Sequence, residues 1–342
     1  MSQPLLTSVV GSHARPGWFV SAIAAVDRGE FGPVDLAELY DDAVDVALRD
    51  QEDAGIDVVC DGEMRRAGFF TAEFYRHLTG VVPLPADRRL GAGGHDQQHR
   101  FAVTEPIAAP DGLGVVAEFV AARARTTRPL KVTIPGPYTL SGRLRTGPGE
   151  VYRERQAAAE AFVPILRMEL VALADAGATI VQIDDPSPAI HPDAPSDFAA
   201  LFNAAVEPVV GRVRLGAHLC FGNYEGRPLA RRTYRPVFDA MLAFRVDELV
   251  LEFANRELAE LELLADITAA GRDVAAGLID VKNYHVETAD EVAERIDAVL
   301  ATGVPADRLT VVPDCGFSQT ARWATVAKLR AMVAGRDLVL GR

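Results

Sequence analysis

Short apolar runs rich in Val, Ile and Leu recur along the chain. Longer stretches separate them, with apolar residues at helical spacing. The runs predict strands at Leu5–Val10, Asp57–Cys60, Leu130–Ile134, Thr179–Ile183, Val213–Cys220, Glu248–Phe253, Val274–Ile279 and Leu309–Val312. The stretches between them predict helices, among them Leu36–Ala54, Glu150–Ala176, Asp197–Arg212, Thr288–Thr302 and Thr320–Val333. Strands that are apolar nearly throughout, rather than alternating, belong to a parallel sheet covered on both faces. Eight of them in alternation with helices predict an α/β fold, a (β/α)8 TIM barrel forming a single catalytic domain over residues 1–342. The segment from about 70 to 107 breaks the rhythm. It carries Gly91, Gly93, Gly94 and the polar run GGHDQQHR. It reads as an insertion, either a hairpin over the C-terminal rim of the barrel or a loose surface loop.

Composition narrows the function classes. Hydrophobic residues make up 49% and charged residues 24% of 342 positions, enough apolar material for a large core and against disorder as the main state. No run of about 18 apolar residues is present to span a membrane. The opening MSQPLLTSVVGSHARP lacks the basic region and apolar run of a secretory leader. The net charge of −13, without a basic stripe, argues against nucleic acid as a partner. Three cysteines, Cys60, Cys220 and Cys315, are too few and odd in number for a disulfide scaffold, and point to reduced thiols in a cytoplasmic protein.

Two of those thiols fall where a barrel keeps its chemistry. GAHLCFGN ends a predicted strand, and strand side chains alternate, so His218 and Cys220 face the same way. A (β/α)8 barrel of about 250 residues spends about 31 on each βα unit. Glu252 follows Cys220 by 32 residues and Cys315 follows Glu252 by 63, close to one unit and two. All four would then reach the C-terminal rim. Two thiolates, an imidazole and a carboxylate suit tetrahedral Zn2+. Taken singly, each has a plainer reading: an inert buried thiol, a core histidine, a carboxylate capping a helix. Zinc held by two thiolates is electron-rich and suits holding a substrate thiol as nucleophilic thiolate. Glu252, the weakest donor, is the ligand expected to yield to it.

Other rim positions are polar. Gly11 and Ser12 follow the first strand and offer close backbone approach, or form a simple turn. Asp61 and Glu63, then Asp184 and Asp185, are carboxylates that would hold a substrate ammonium or cap helices. Asp280 and Lys282 lie on one face of the segment after a later strand, as catalytic candidates or as a surface ion pair.

The segments TSVVGS, DGEMRR, VTIPGPYTL, VQIDDP, AHLCFGN, VLEF, GLIDVKN and VPDCGF, in that order, resemble the catalytic barrel of cobalamin-independent methionine synthase and its relatives, from about Ser8 to Val333. The resemblance implies zinc bound by His218, Cys220, Glu252 and Cys315. It also implies homocysteine contacts at Val10, Gly11, Ser12, Glu63 and Asp184, and hence a methyltransferase of methionine biosynthesis. Departures accompany it. The full-length synthase has a second, N-terminal barrel, for which this chain has no room. The family's D-I-H motif, with a histidine implicated in proton delivery to folate, reads Asp280-Val281-Lys282. The usual I-D-E-P reads Ile183-Asp184-Asp185-Pro186, and no tryptophan lies near GPYTL. The acceptor half is kept and the folate half altered. The expected methyl donor is therefore a methylcobalamin-carrying corrinoid protein or methyltetrahydrofolate. Short relatives also include epoxyalkane:coenzyme M transferases, whose sulfonate substrate would call on Arg65, Arg66 and Lys282. A third alternative is a barrel that binds zinc and thiol without turnover.

Overall fold

The computed structural model describes residues 4–66, 73–85, 87–88, 97–98, 100–194, 197–223 and 230–342. Seven parallel strands form its central sheet: β1 (Leu6–Thr7), β2 (Lys131–Pro135), β3 (Ile180–Asp184), β4 (Arg214–Leu219), β5 (Glu248–Glu252), β6 (Asp273–Ile279) and β7 (Leu309–Pro313). They lie in the order β1-β7-β6-β5-β4-β3-β2. Successive strands pair in parallel register, as in Asp184 opposite His218 and Gly277 opposite Glu252. Every residue of β2 is buried, as expected of a strand covered on both faces.

The expected second strand forms no ladder. Residues Val58 and Val59 make one parallel bridge each, to Ser8 and to Leu130. The Val58 N–H donates to Thr7 O at 3.1 Å and the Lys131 N–H to Val59 O at 2.8 Å. The segment thus lies between the two outer strands of the sheet. Its regular pairing is interrupted because the Asp57 carboxylate takes both the N–H and the hydroxyl of Thr7, each at 2.8 Å. The first strand, Leu6–Thr7, is shorter than the run Leu5–Val10; at its start, Leu5 has φ +53° and cannot extend the ladder.

Helices cover the sheet. Helix Pro33–Ala54 starts on a proline, whose missing N–H costs nothing in the first turn, and stops at Gly55 in the left-handed region. Helix Ala289–Leu300 opens on a capping box between Thr288 and Glu291. The predicted helix Asp197–Arg212 breaks up. Helix Phe198–Val206 gives way to a 3-10 turn at Glu207–Val209, because Pro208 has no N–H to give Ala204 O, which accepts from Arg167 at 2.8 Å instead. Helix Arg322–Val339 runs beyond its expected end. Its Arg336 donates to Leu5 O and to the Asp57 carboxylate, joining the last helix to the first strand.

The inserted segment contains an antiparallel pair, Thr79–Pro83 with Phe101–Ala108. Phe101 bridges to Leu144, and its ring stacks on Tyr75 with centroids 4.3 Å apart. The pair thus leans on the segment that follows β2. None of its described residues lines the cavity discussed below. Gly91, Gly93 and Gly94 lie outside the described residues. Both tryptophans, Trp18 and Trp323, are exposed. No described helix is long and apolar enough to cross a membrane.

Candidate metal centre

Strand β4 delivers the first two candidate ligands. Alternation places His218 and Cys220 on one face, and the turn after β7 brings Cys315 to them. One ligand atom from each of the three lies within 4.8 Å of the others, and the two Sγ atoms are 3.8 Å apart. His218 Nδ1 is held by Asp184 Oδ1 at 2.9 Å, which aims Nε2 the other way. Nε2 is buried with no partner among the described residues. Glu252, the fourth expected ligand, ends β5 near this trio but is not among the residues whose ligand atoms lie within 4.8 Å of one another. Its Oε2 accepts from Lys282 Nζ at 3.0 Å and from the Phe221 N–H at 3.2 Å, while Oε1 is buried with no partner among the described residues. Buried polar atoms are rarely left unsatisfied. An imidazole nitrogen and a carboxylate oxygen, both unsatisfied and next to two thiols, fit the donor set of a zinc site. The hydrogen bond from Cys220 lowers the Cys315 thiol, helped by the positive field of His218 and Lys282, and the Cys220 thiol is raised.

A cavity of about 270 Å3 opens beside the thiols. His218, Cys220 and Cys315 line it together with Val10, Gly11, Ser12, Glu63 and Asp184. Arg15, Arg143, Arg155 and His191 line other parts of its wall. Glu63 projects from a tight turn in which it takes φ +56°. Its Oε1 accepts from Thr133 Oγ1 at 2.8 Å and faces Arg66 at 3.3 Å. Burial raises its pKa to about 7, against the pull of Arg66 and with help from Asp184. Gly11 has to be glycine: a Cβ there would sit 2.5 Å from Glu63 Oε1.

The neighbouring acids do different work. Asp185 accepts from the Thr139 N–H at 2.9 Å and so caps helix Pro137–Ser141, as the capping alternative required. Asp61 accepts from the Glu63 N–H at 3.0 Å and shapes the turn. Asp280 accepts from the Lys282 N–H at 2.8 Å and lies outside the cavity lining. Lys282 is not half of a surface ion pair with it: its side chain is wholly buried on Glu252. Of the cations available to a sulfonate, Arg65 is paired with Asp41 and Arg66 with Glu118 and Glu63.

Several supporting residues carry no sequence signal. The Tyr234 hydroxyl donates to Leu219 O at 2.9 Å and accepts the Glu252 N–H at 2.8 Å, clamping the ends of β4 and β5. Asp314 takes the N–H groups of Phe253, Ala254 and Asn255. Gln182 donates to Val10 O and Asp184 Oδ1 and accepts from Lys131. Tyr234→Phe leaves Leu219 O and the Glu252 N–H unsatisfied in the interior. It is expected to cost about 1–3 kcal/mol, read as a lower urea midpoint at unchanged slope.

Comparison with known proteins agrees with this geometry. The family described as "Cobalamin-independent synthase, Catalytic domain" matches residues 5–336. A methionine synthase of Thermococcus kodakarensis is 32% identical, covering 99% of this chain and 95% of that protein. One of Pyrococcus abyssi is 30% identical, covering 99% and 94%. A solved B12-independent methionine synthase from a Shewanella species, in complex with selenomethionine, superposes with a TM-score of 0.82 at 28% identity, covering 99% of this chain and 98% of that one. Sequence, fold and thiol cluster therefore place this chain in the family of cobalamin-independent synthase catalytic domains.

Proposed function

We propose that the protein methylates the thiol of homocysteine to give methionine, using zinc held by His218, Cys220, Cys315 and Glu252. The observation that carries this is the juxtaposition of two thiols and an unsatisfied imidazole nitrogen with a carboxylate-lined cavity. We also read the sheet as a closed eight-stranded barrel, with Val58 and Val59 bridging its outer strands as the eighth. Zinc, when bound, supplies a Lewis acid that keeps a thiol ionised near neutral pH. The chain's own groups do the rest. Glu63 and Asp184 receive the ammonium, and the latter has Oδ2 for it because both of its described bonds fall on Oδ1. Backbone at Val10, Gly11 and Ser12 meets the carboxylate. The thiolate then faces the donor methyl at close range, and this positioning supplies much of the acceleration.

Arg65, Arg66 and Lys282, the cations expected to receive a sulfonate, are already paired with carboxylates, which leaves a sulfonate-bearing thiol to the arginines elsewhere on the cavity wall, away from Glu63 and Asp184. Lys282, at the family's histidine position, does not line the cavity. That favours a donor whose leaving group needs no proton, such as methylcobalamin on a corrinoid protein, over methyltetrahydrofolate. Zinc-loaded protein supplied with homocysteine and each donor in turn should form methionine with at least one of them. No product from either, together with no homocysteine binding, would overturn the reading.

The ammonium site has its own test. Below about pH 7 Glu63 holds a proton that an incoming ammonium must expel. Methionine has no thiol to confuse the proton count. Its affinity should rise as pH increases through about 7 and then level off, measured by calorimetry on metal-loaded protein. Glu63→Gln should flatten that rise and weaken binding about tenfold or more while zinc content stays at wild type. A wild-type affinity independent of pH would remove Glu63 from this role.

A further inference from the structure

The metal reading and the ammonium reading both leave Lys282 unused. Its ammonium is wholly buried, as is the Glu252 carboxylate it meets at 3.0 Å. The backbone that carries it is fixed: Asp280 accepts the Lys282 N–H, and the Thr320 hydroxyl donates to Val281 O at 2.9 Å. Oε2 of Glu252 is therefore held by a fixed cation and by the Phe221 N–H, while Oε1 has no partner among the described residues.

The two polar ligands of the trio's neighbourhood are thus supported in opposite ways. The group behind His218 is an anion, Asp184. A carboxylate behind an imidazole makes it a stronger donor. The group behind Glu252 is a cation, which draws charge away from the metal and makes a weaker donor. Lys282 also lies in the field of both Cys220 and Cys315. Around a dication, two thiolates and a carboxylate leave one net negative charge, which the Lys282 ammonium offsets, beside the further buried carboxylates of Asp184 and Asp314. An added substrate thiolate gives five donors where zinc prefers four. A carboxylate leaving the metal alone would become an isolated buried anion, a state of high free energy. Glu252 escapes that state because Oε2 is already paired.

We propose that Lys282 is a positioning residue that makes Glu252 the exchangeable ligand, holding Oε2 so that Oε1 can leave the metal for an incoming thiol with its charge still paired. This rests on the zinc reading above and adds to it a residue that tunes ligand exchange.

The test uses the full chain loaded with cobalt(II), whose thiolate charge-transfer absorption counts bound sulfurs. In wild type, homocysteine should raise that absorption from the intensity of two thiolates to that of three, with the d–d bands remaining four-coordinate. In Lys282→Met, Glu252 should stay on the metal. The apparent homocysteine affinity should then fall about tenfold or more, and cobalt loss to a chelator should slow. Lys282→Arg keeps the charge and should retain the exchange. Wild-type exchange in Lys282→Met would overturn the proposal. If Lys282→Met does not fold even with metal present, Glu252→Gln decides. With the carboxylate's charge removed, it should bind homocysteine at least as tightly as wild type, and weaker binding would overturn the proposal. Failure of wild type to take up cobalt with two-thiolate absorption would remove the zinc reading itself. Normal uptake with unaltered exchange in the variant removes only the role of Lys282.

Discussion

Cys315→Ser is expected to lose zinc and methyl transfer together while keeping its fold. A serine hydroxyl is not ionised near neutral pH and is a poor zinc ligand, so the site would be left with one thiolate, an imidazole and a weakly donating carboxylate. Losing a direct ligand should cost more than the 10–100-fold typical of residues one step removed, so zinc affinity should drop by more than about 100-fold. Methionine formation should fall to background. Cys315 is only partly buried and serine is nearly isosteric, so the circular dichroism spectrum should not change. Metal analysis after dialysis against a chelator checks the first part, and product formation the second. Cys60→Ser is the matched control. Cys60 Sγ donates to Gly11 O at 2.8 Å and accepts the Gly62 N–H, roles a hydroxyl can fill, so that variant should keep its zinc. Stoichiometric zinc in Cys315→Ser would show the ligand assignment to be wrong.

The second large effect is on stability. Arg66 is buried and donates to Glu118 at 2.8 Å and to Thr133 O at 2.7 Å, and it lies 3.3 Å from Glu63. Glu63 and Glu118 both have raised pKa values, chiefly from burial, and Arg66 is the strongest influence pulling each of them back. Arg66→Met would leave two carboxylates buried without their cation. The expected loss is about 3–5 kcal/mol, the range for breaking a buried ion pair from one side. Urea unfolding reads it as a midpoint shift. Arg66→Met combined with Glu118→Leu should recover part of the loss, because one stranded charge is gone. A single variant as stable as wild type would mean that the network contributes little.

The contrast between these sites shows what a linear sequence carries. His218 and Cys220 were legible because strand alternation is a rigid rule, and Cys315 because successive strand–helix units have a regular length. The ends of β2 through β7 fell within a residue or two of the apolar runs for the same reason. Asp184 and Asp185 could not be told apart by type. One ends a strand and turns inward onto His218, whereas its neighbour caps a helix. Lys282 was the hardest to read. A lysine at a strand end is usually solvated, and only the partner arriving from β5 makes it a buried cation. Tyr234 belongs to no periodic pattern, and its clamp exists only once β4 and β5 are side by side. The shortfall of the second strand had a similar cause, the capture of Thr7 by the Asp57 side chain.

The pairing of Leu6 with Thr310 and Thr7 with Val311 has a consequence for biosynthesis. β1 finds its ladder partner only after every other strand of the sheet has been made. Arg336, which ties the last helix to Leu5 and Asp57, emerges later still. Until β7 follows, the edge of β1 that will pair with it lacks its neighbour, and such edges are where misassociation begins. The sheet is thus completed only once β7 has been made.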